Sequence, residues 1–156
     1  MGGPASVEKD FLMIYTLGRA RRALDQRGRI GRAIQGLILF SAILGALFLW
    51  EASGLLPASV FDIIAVGWAL FVVDGVLSFV RPAASYYLGL VLAVLALSAS
   101  LPQPTHYTFF AAGEILAGAT FTAGTAAQFA LIALVAYYAV AGRRYSSRAA
   151  DAGQSG

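Results

Sequence analysis

Two carboxylic acids, Asp62 and Asp74, lie inside one apolar stretch of the chain at residues 60–80. At about 100° per residue on a helix, Asp74 shares a face with Ser78 and Arg81. Asp62 lies roughly 120° round the helix from that face. A charged carboxylate at such depth in a bilayer costs several kcal/mol, so Asp74 must be paired, face a wet cavity or keep its proton. Asp74, Ser78 and Arg81 are therefore a candidate proton or ion relay, or an interhelical hydrogen bond that sets the helix rotation.

A second group of ionisable side chains is expected at the outer ends of the helices. Asp62 is near the start of the same stretch, His106 lies in a proline-containing loop, and Glu114 is the only charge in the run that follows. Together with Glu51 they could form an acidic outer mouth. The alternative is that each side chain separately reaches water among the lipid headgroups, which suits Glu51 and Asp62 better than Glu114.

The residue types exclude several kinds of site. The chain has no cysteine, which rules out disulfides, thiol catalysis and zinc or iron–sulfur centres of the cysteine type. A single histidine does not make a bis-histidine haem site within one chain. Walker motifs, glycine-rich phosphate loops and a nucleophile elbow are absent from the sequence. We therefore expect no catalytic, cofactor-binding or metal-binding residues, no cofactor and no enzymatic activity.

The composition places these residues in a membrane protein. Apolar residues make up 59% of the chain and charged residues 12%, and the mean hydropathy of +0.74 is too high for an ordinary soluble fold. The prediction is an all-α polytopic bundle of four transmembrane helices. An N-terminal amphipathic interfacial helix and a short re-entrant or interfacial helix before the last span accompany them. The predicted spans are 33–50, 60–80, 83–101 and 121–142.

The last apolar run, residues 107–142, is too long to be a single membrane-spanning helix. At about 1.5 Å per residue it is about 50 Å long, well beyond a hydrocarbon core of about 30 Å. Threonines and a glycine in residues 119–124 indicate the place. Residues 109–118 would then form the short re-entrant or interfacial helix.

The leader, residues 1–32, carries most of the positive charge. An apolar stripe formed by Val7, Phe11 and Ile14 predicts a helix that lies on the membrane surface or packs on the cytoplasmic ends of the bundle. Two glycines among the arginines of residues 27–32 predict an elbow at headgroup level. A basic leader favours a lipid bilayer with anionic headgroups as partner, and nucleic acid is not expected because aromatic platforms are missing. The predicted headgroup contacts are Arg19, Arg21, Arg22, Arg27, Arg29 and Arg32.

The basic residues also predict the topology. Ten of the eleven lie within residues 9–32 or 143–148, and the two predicted outer loops contain no lysine or arginine. Since basic segments stay on the cytoplasmic side, four spans with both termini in the cytoplasm are favoured. We therefore expect a multi-pass integral protein of the cell membrane. Residues 143–156 would be a basic and then disordered cytoplasmic tail.

The scarcity of polar residues within the spans favours a non-catalytic role. The leading interpretation is an accessory or scaffold subunit of a larger membrane complex, which binds other membrane subunits or copies of itself through small residues on its helices. Asp74 motivates the alternative, a small oligomeric proton- or cation-coupled transporter or channel.

Overall fold

A computed structural model describes the backbone of residues 4–54 and 56–154, and the side chains of residues 25–54, 56–104 and 107–142. Over this part of the chain it contains helices and no strands. Four of the helices are long and apolar enough to cross a membrane, which confirms the all-helical, four-span prediction. The helices are α1 (Pro4–Glu51), α2 (Ala58–Val80), α3 (Pro82–Ser100), α4 (Thr105–Thr108) and α5 (Ile115–Gln154). The candidate spans are Asp25–Glu51, Ala58–Val80, Pro82–Ser100 and Ile115–Gly142.

The break between α2 and α3 falls at Arg81, as the following proline predicts. Arg81 has φ −137° and ψ 70°, outside the helical region, and Pro82 occupies the first turn of α3. A proline ring disfavours helical backbone at the preceding residue, but its fixed φ suits the start of a helix. The two helices therefore reverse direction over a single residue.

The predicted elbow in the leader is wrong, because α1 continues through Gly28 and Gly31 without a break. A methyl group added to Gly31 would lie 2.7 Å from the hydroxyl oxygen of Tyr86 on α3. This glycine therefore gives an aromatic side chain room against α1, and tertiary packing outweighs the low helix propensity of glycine. The backbone does not separate an interfacial leader helix from the first span.

The predicted division of the last run at residues 119–124 is also wrong. The chain turns at Gly113, whose φ of +86° is accessible to glycine, and α5 begins at Ile115. Thr120 and Thr122 donate hydrogen bonds to the carbonyls of Leu116 and Gly118, at 2.9 and 2.8 Å. These bonds to the preceding turn let threonine remain inside a continuous helix. Residues 109–113 form a turn rather than part of a separate short helix.

The four long helices form a closed ring. Going round it, α1 contacts α2, α2 contacts α3, α3 contacts α5, and α5 contacts α1, while α1 and α3 also touch across the centre. We call the end that carries Arg27 and Arg81 the inner end, and the end that carries Glu51 the outer end. Neighbouring helices in the ring run in opposite directions. This is an up-down-up-down bundle with short connections.

The contact between α1 and α5 is a regular seam with alternating spacings of three and four residues, typical of coiled-coil packing. Arg27 stacks on the ring of Tyr138, 4.7 Å from its centroid, at the inner end. At the outer end the rings of Phe48 and Phe121 have centroids 6.4 Å apart. The same end of α1 also meets Gly142, where an added methyl group would lie 3.2 Å from the Arg27 guanidinium. Between the two ends, Ile34 and Ile38 of α1 share an apolar cluster with Leu131 and Val135 of α5.

Apolar packing fills the bundle in two clusters. The larger one includes Ile34, Ile38, Leu131 and Val135 from the seam. The smaller one lies at the outer end, where the seam residue Phe48 meets the loop before α5. In both clusters, the residues of α1 and α5 recur every three or four positions along their helices.

Candidate functional site

Asp74 lies where α1, α2 and α3 meet, and its side chain is fully buried. A methyl group added to Gly89 on α3 would lie 2.9 Å from Asp74 Oδ2 and 3.2 Å from Ile38 Cδ1 on α1. Because Gly89 has no side chain, the carboxyl group of Asp74 fits against the backbone of α3. The acid therefore points into the bundle and away from the lipid.

The two serines near Asp74 donate hydrogen bonds to backbone carbonyls, and the Ser85 hydroxyl also lies beside the Asp74 carboxyl group. Ser78 donates to the carbonyl oxygen of Gly75 at 2.7 Å, and Ser85 donates to the carbonyl oxygen of Asp74 itself at 3.2 Å. Within the described part of the chain, neither carboxyl oxygen of Asp74 has a hydrogen-bond partner. Arg81 is exposed at the inner end, about 10 Å along the helix axis from Asp74. The structure therefore places the Asp74 carboxyl group beside Gly89 and Ser85 of α3, with Ile38 of α1 against the same glycine.

Ser41 and Gln128 are two further polar side chains in the bundle, and neither was a candidate from the sequence. Ser41 on α1 is 5% exposed and Gln128 on α5 is 8% exposed. Ser41 Oγ and Gln128 Oε1 have no hydrogen-bond partner among the described residues. The alternating three- and four-residue spacing of apolar residues in 27–52 and 117–142 was the signal in the sequence that could have placed both side chains on buried helix faces.

The ionisable side chains of the predicted outer mouth differ in exposure. Asp62 and Glu114 are exposed, and Glu51 is partly buried. Among the described residues, no three histidine, cysteine, aspartate or glutamate side chains are close enough to hold a metal ion. The side chain of His106 lies outside the described residues. The described packing at this end is aromatic, with the ring of Phe48 edge-on to that of Phe109 at 6.0 Å.

The predicted headgroup arginines fall into three groups. Arg29 and Arg32 are exposed at the inner end. Arg27 stacks on Tyr138, whose ring meets that of Tyr86 edge-on at 5.3 Å, so it fastens α1 to α5 and α3. The remaining three lie outside the residues whose side chains are described: Arg19, Arg21 and Arg22.

Neither a protein-family model nor a curated protein matches this chain. No solved structure matches it either.

The buried polar side chains of the bundle differ in whether they have hydrogen-bond partners. Three of the buried hydroxyl side chains donate to backbone carbonyls of a helix: Ser78, Ser85 and Thr120. Four side chains have buried oxygen atoms without a hydrogen-bond partner among the described residues: Ser41, Glu51, Asp74 and Gln128. Since a buried polar group without a partner costs about 1–3 kcal/mol, these groups lower the stability of the bundle. Asp74 is the one of them that is both ionisable and fully buried, and it is the centre of the candidate site.

Proposed function

We propose that the chain is a non-catalytic accessory or scaffold subunit of a larger complex in the cell membrane, with both termini in the cytoplasm. The observation that carries the proposal is the packing of the bundle. Apolar side chains from all four long helices fill it, and Asp74 is the one carboxylic acid among its buried described residues. A catalytic nucleophile works with an activating neighbour within hydrogen-bond reach, such as a general base that a third group orients. A single isolated acid does not meet that need.

The outward faces of the helices support an assembly role. In each candidate span, between 17 and 33% of the most apolar window is buried inside the bundle, so most of it faces outward. Small residues remain on these faces: a methyl group added to Gly67 on α2 would meet nothing within 4 Å, and Ala126 and Ala130 are exposed on α5. Helices pack closely in lipid where small residues let their backbones approach. These positions suit contact with helices of other subunits.

Purification from the organism's own membranes tests this proposal. In mild detergent we expect the chain to bring down other membrane proteins in fixed stoichiometry. At least one of the variants Gly67→Leu and Ala130→Leu should lose those partners, because a leucine there holds the facing backbone away. Each variant should keep the thermal stability of the wild type, since both positions face outward.

The subunit proposal is contradicted if the chain is purified from native membranes without a stoichiometric partner, and if both leucine variants behave as the wild type does.

The unpartnered carboxyl group of Asp74 favours a second candidate, a small oligomeric proton- or cation-coupled transporter or channel. An ionisable residue inside a membrane helix commonly marks a pathway for protons or ions. In proteoliposomes this candidate predicts proton or alkali-cation flux that Asp74→Asn abolishes and Asp62→Asn leaves unchanged. Asp62 is the matched control because it is an exposed acid on the same helix. Wild-type flux no greater than that of empty liposomes would eliminate the transporter.

A further inference from the structure

A notch on α3, formed by Ser85 and Gly89, receives the carboxyl group of Asp74. The two notch residues lie one helical turn apart and are both buried. A methyl group added to Gly89 would lie 2.9 Å from Asp74 Oδ2, and the Ser85 hydroxyl lies beside the same carboxyl group. The other side chain that reaches Gly89 is that of Ile38 on α1, which is apolar. On the α3 side of this acid, the serine is therefore the described polar neighbour.

The hydrogen atoms at this notch do not suit an ionised carboxylate. A serine hydroxyl has one hydrogen to donate and lone pairs with which to accept. Ser85 uses its hydrogen on the backbone carbonyl oxygen of Asp74, at 3.2 Å. The backbone N–H of Gly89 lies inside α3, where it bonds to the carbonyl of the preceding turn. The notch therefore presents the carboxyl group with lone pairs, whereas an ionised carboxylate needs donors.

The described surroundings of the acid also lack a counter-charge. Helix α3 has no charged residue, Tyr87 on it is exposed, and the hydroxyl group of Tyr86 is directed at Gly31. On α1, Arg32 is exposed and lies six residues, or about 9 Å along the axis, from Ile38. An unpaired charge in a medium of low dielectric is costly. The remaining charged side chains described on α1 and α2 lie closer to the helix ends: Asp25, Arg27, Arg29, Glu51, Asp62 and Arg81.

We propose that Asp74 and Ser85 form a binding site for one proton, which the folded bundle holds on the carboxyl group. The carboxyl O–H donates to a lone pair of Ser85 Oγ, while the Ser85 hydrogen stays on the backbone carbonyl of Asp74. Two consecutive hydrogen bonds then link α2 to α3. The site goes beyond the proposed subunit role and does not depend on it, because the proton is detected on the purified chain and partner proteins on native membranes.

Infrared spectroscopy of the purified full-length chain detects the proton directly. Nanodiscs of ether-linked lipids are used, because these lipids have no ester carbonyl. A protonated carboxyl group has a carbonyl stretching band separate from the carboxylate and amide bands, and deuterium oxide lowers its frequency. At neutral pH we expect such a band in the wild type and its loss in Asp74→Asn. The matched control is Asp62→Asn, which alters an exposed acid on the same helix and should keep the band.

A serine substitution tests the acceptor. Ser85→Ala should move the band to higher frequency, because the carboxyl group keeps its proton and loses the oxygen to which it donates. Ser98→Ala is the matched control, since Ser98 is exposed on the same helix and its loss should leave the frequency unchanged.

The pH dependence of folding tests whether the proton holds the helices together. Because the unfolded chain releases this proton to water, the folding equilibrium constant should fall about tenfold for each unit of pH above neutral, and level off once the band disappears. Asp74→Asn should lack this dependence, since its amide N–H is a permanent donor.

Three results would overturn the proton site. The first is a wild-type spectrum without a band that Asp74→Asn removes. The second is a band frequency in Ser85→Ala equal to that in Ser98→Ala, and the third is an Asp74→Asn variant whose folding depends on pH as that of the wild type does.

Discussion

Replacing Gly89 by leucine should lower the free energy of unfolding of the bundle by about 3 kcal/mol, which is the upper range for overpacking a well-filled core. The new side chain starts from a Cβ only 2.9 Å from Asp74 Oδ2 and 3.2 Å from two carbons of Ile38. Neither neighbour has free space to retreat into, because Ile38 and Asp74 are both fully buried. Helix α3 must therefore move away from α1 and α2.

Gly36→Leu is the matched control for this prediction. Gly36 also lies within a long helix, and a methyl group there would meet nothing within 4 Å. The two variants gain the same intrinsic helix propensity, so the difference between them isolates the steric effect. Unfolding in mixed micelles with increasing fractions of sodium dodecyl sulfate, followed by tryptophan fluorescence, gives both free energies. Equal stability of the two variants would show that α3 does not approach α1 and α2 at Gly89.

Leu131→Ala should lower the free energy of unfolding by about 2–3 kcal/mol, the low end of the range for deleting a buried leucine. Leu131 is fully buried and belongs to the same apolar cluster as Ile38. In a membrane the unfolded state still holds this side chain in lipid, so the loss comes from missing packing contacts and the resulting cavity rather than from transfer into water. The same unfolding measurement checks it.

Leu116→Ala on the same helix provides the comparison. Its side chain is 67% exposed on the outward face of α5, so its removal takes away few contacts within the chain. We expect a change of less than about 0.5 kcal/mol, as for other substitutions away from packed sites. A loss at Leu116 as large as that at Leu131 would contradict the division between the seam and the outward face.

Local features of the sequence predicted much of the architecture. Hydropathy summed over a window depends only on composition, so the four long apolar helices of the described residues were predicted from the sequence. The break at Arg81 was predicted for a similar reason, because the ring of Pro82 constrains its own residue and the one before it. Asp74 was also predicted to be the buried acid of α2, since its position relative to the helix ends distinguishes it from Asp62.

Signals that depend on a neighbour were harder to interpret from the sequence. The glycines at 28 and 31 predicted an elbow, but Gly31 serves the close approach of Tyr86, a residue more than fifty positions away. Threonines near the start of α5 predicted a break, but their hydroxyl groups bond to carbonyls of the preceding turn within a continuous helix. In both cases the residue type was compatible with two structures, and packing selected one.

The sequence by itself determined that the chain is helical and apolar enough to span a membrane four times, and that Asp74 is the acid to explain. Only the tertiary structure decided what surrounds that acid. It directed Ser78 and Ser85 to backbone carbonyls, left space for the carboxyl group at Gly89, and buried Ser41 and Gln128 on two other helices. The physical reason is that membrane insertion depends on the sum of residue hydropathies along each helix, whereas the partner of a buried side chain depends on the register between helices far apart in the chain.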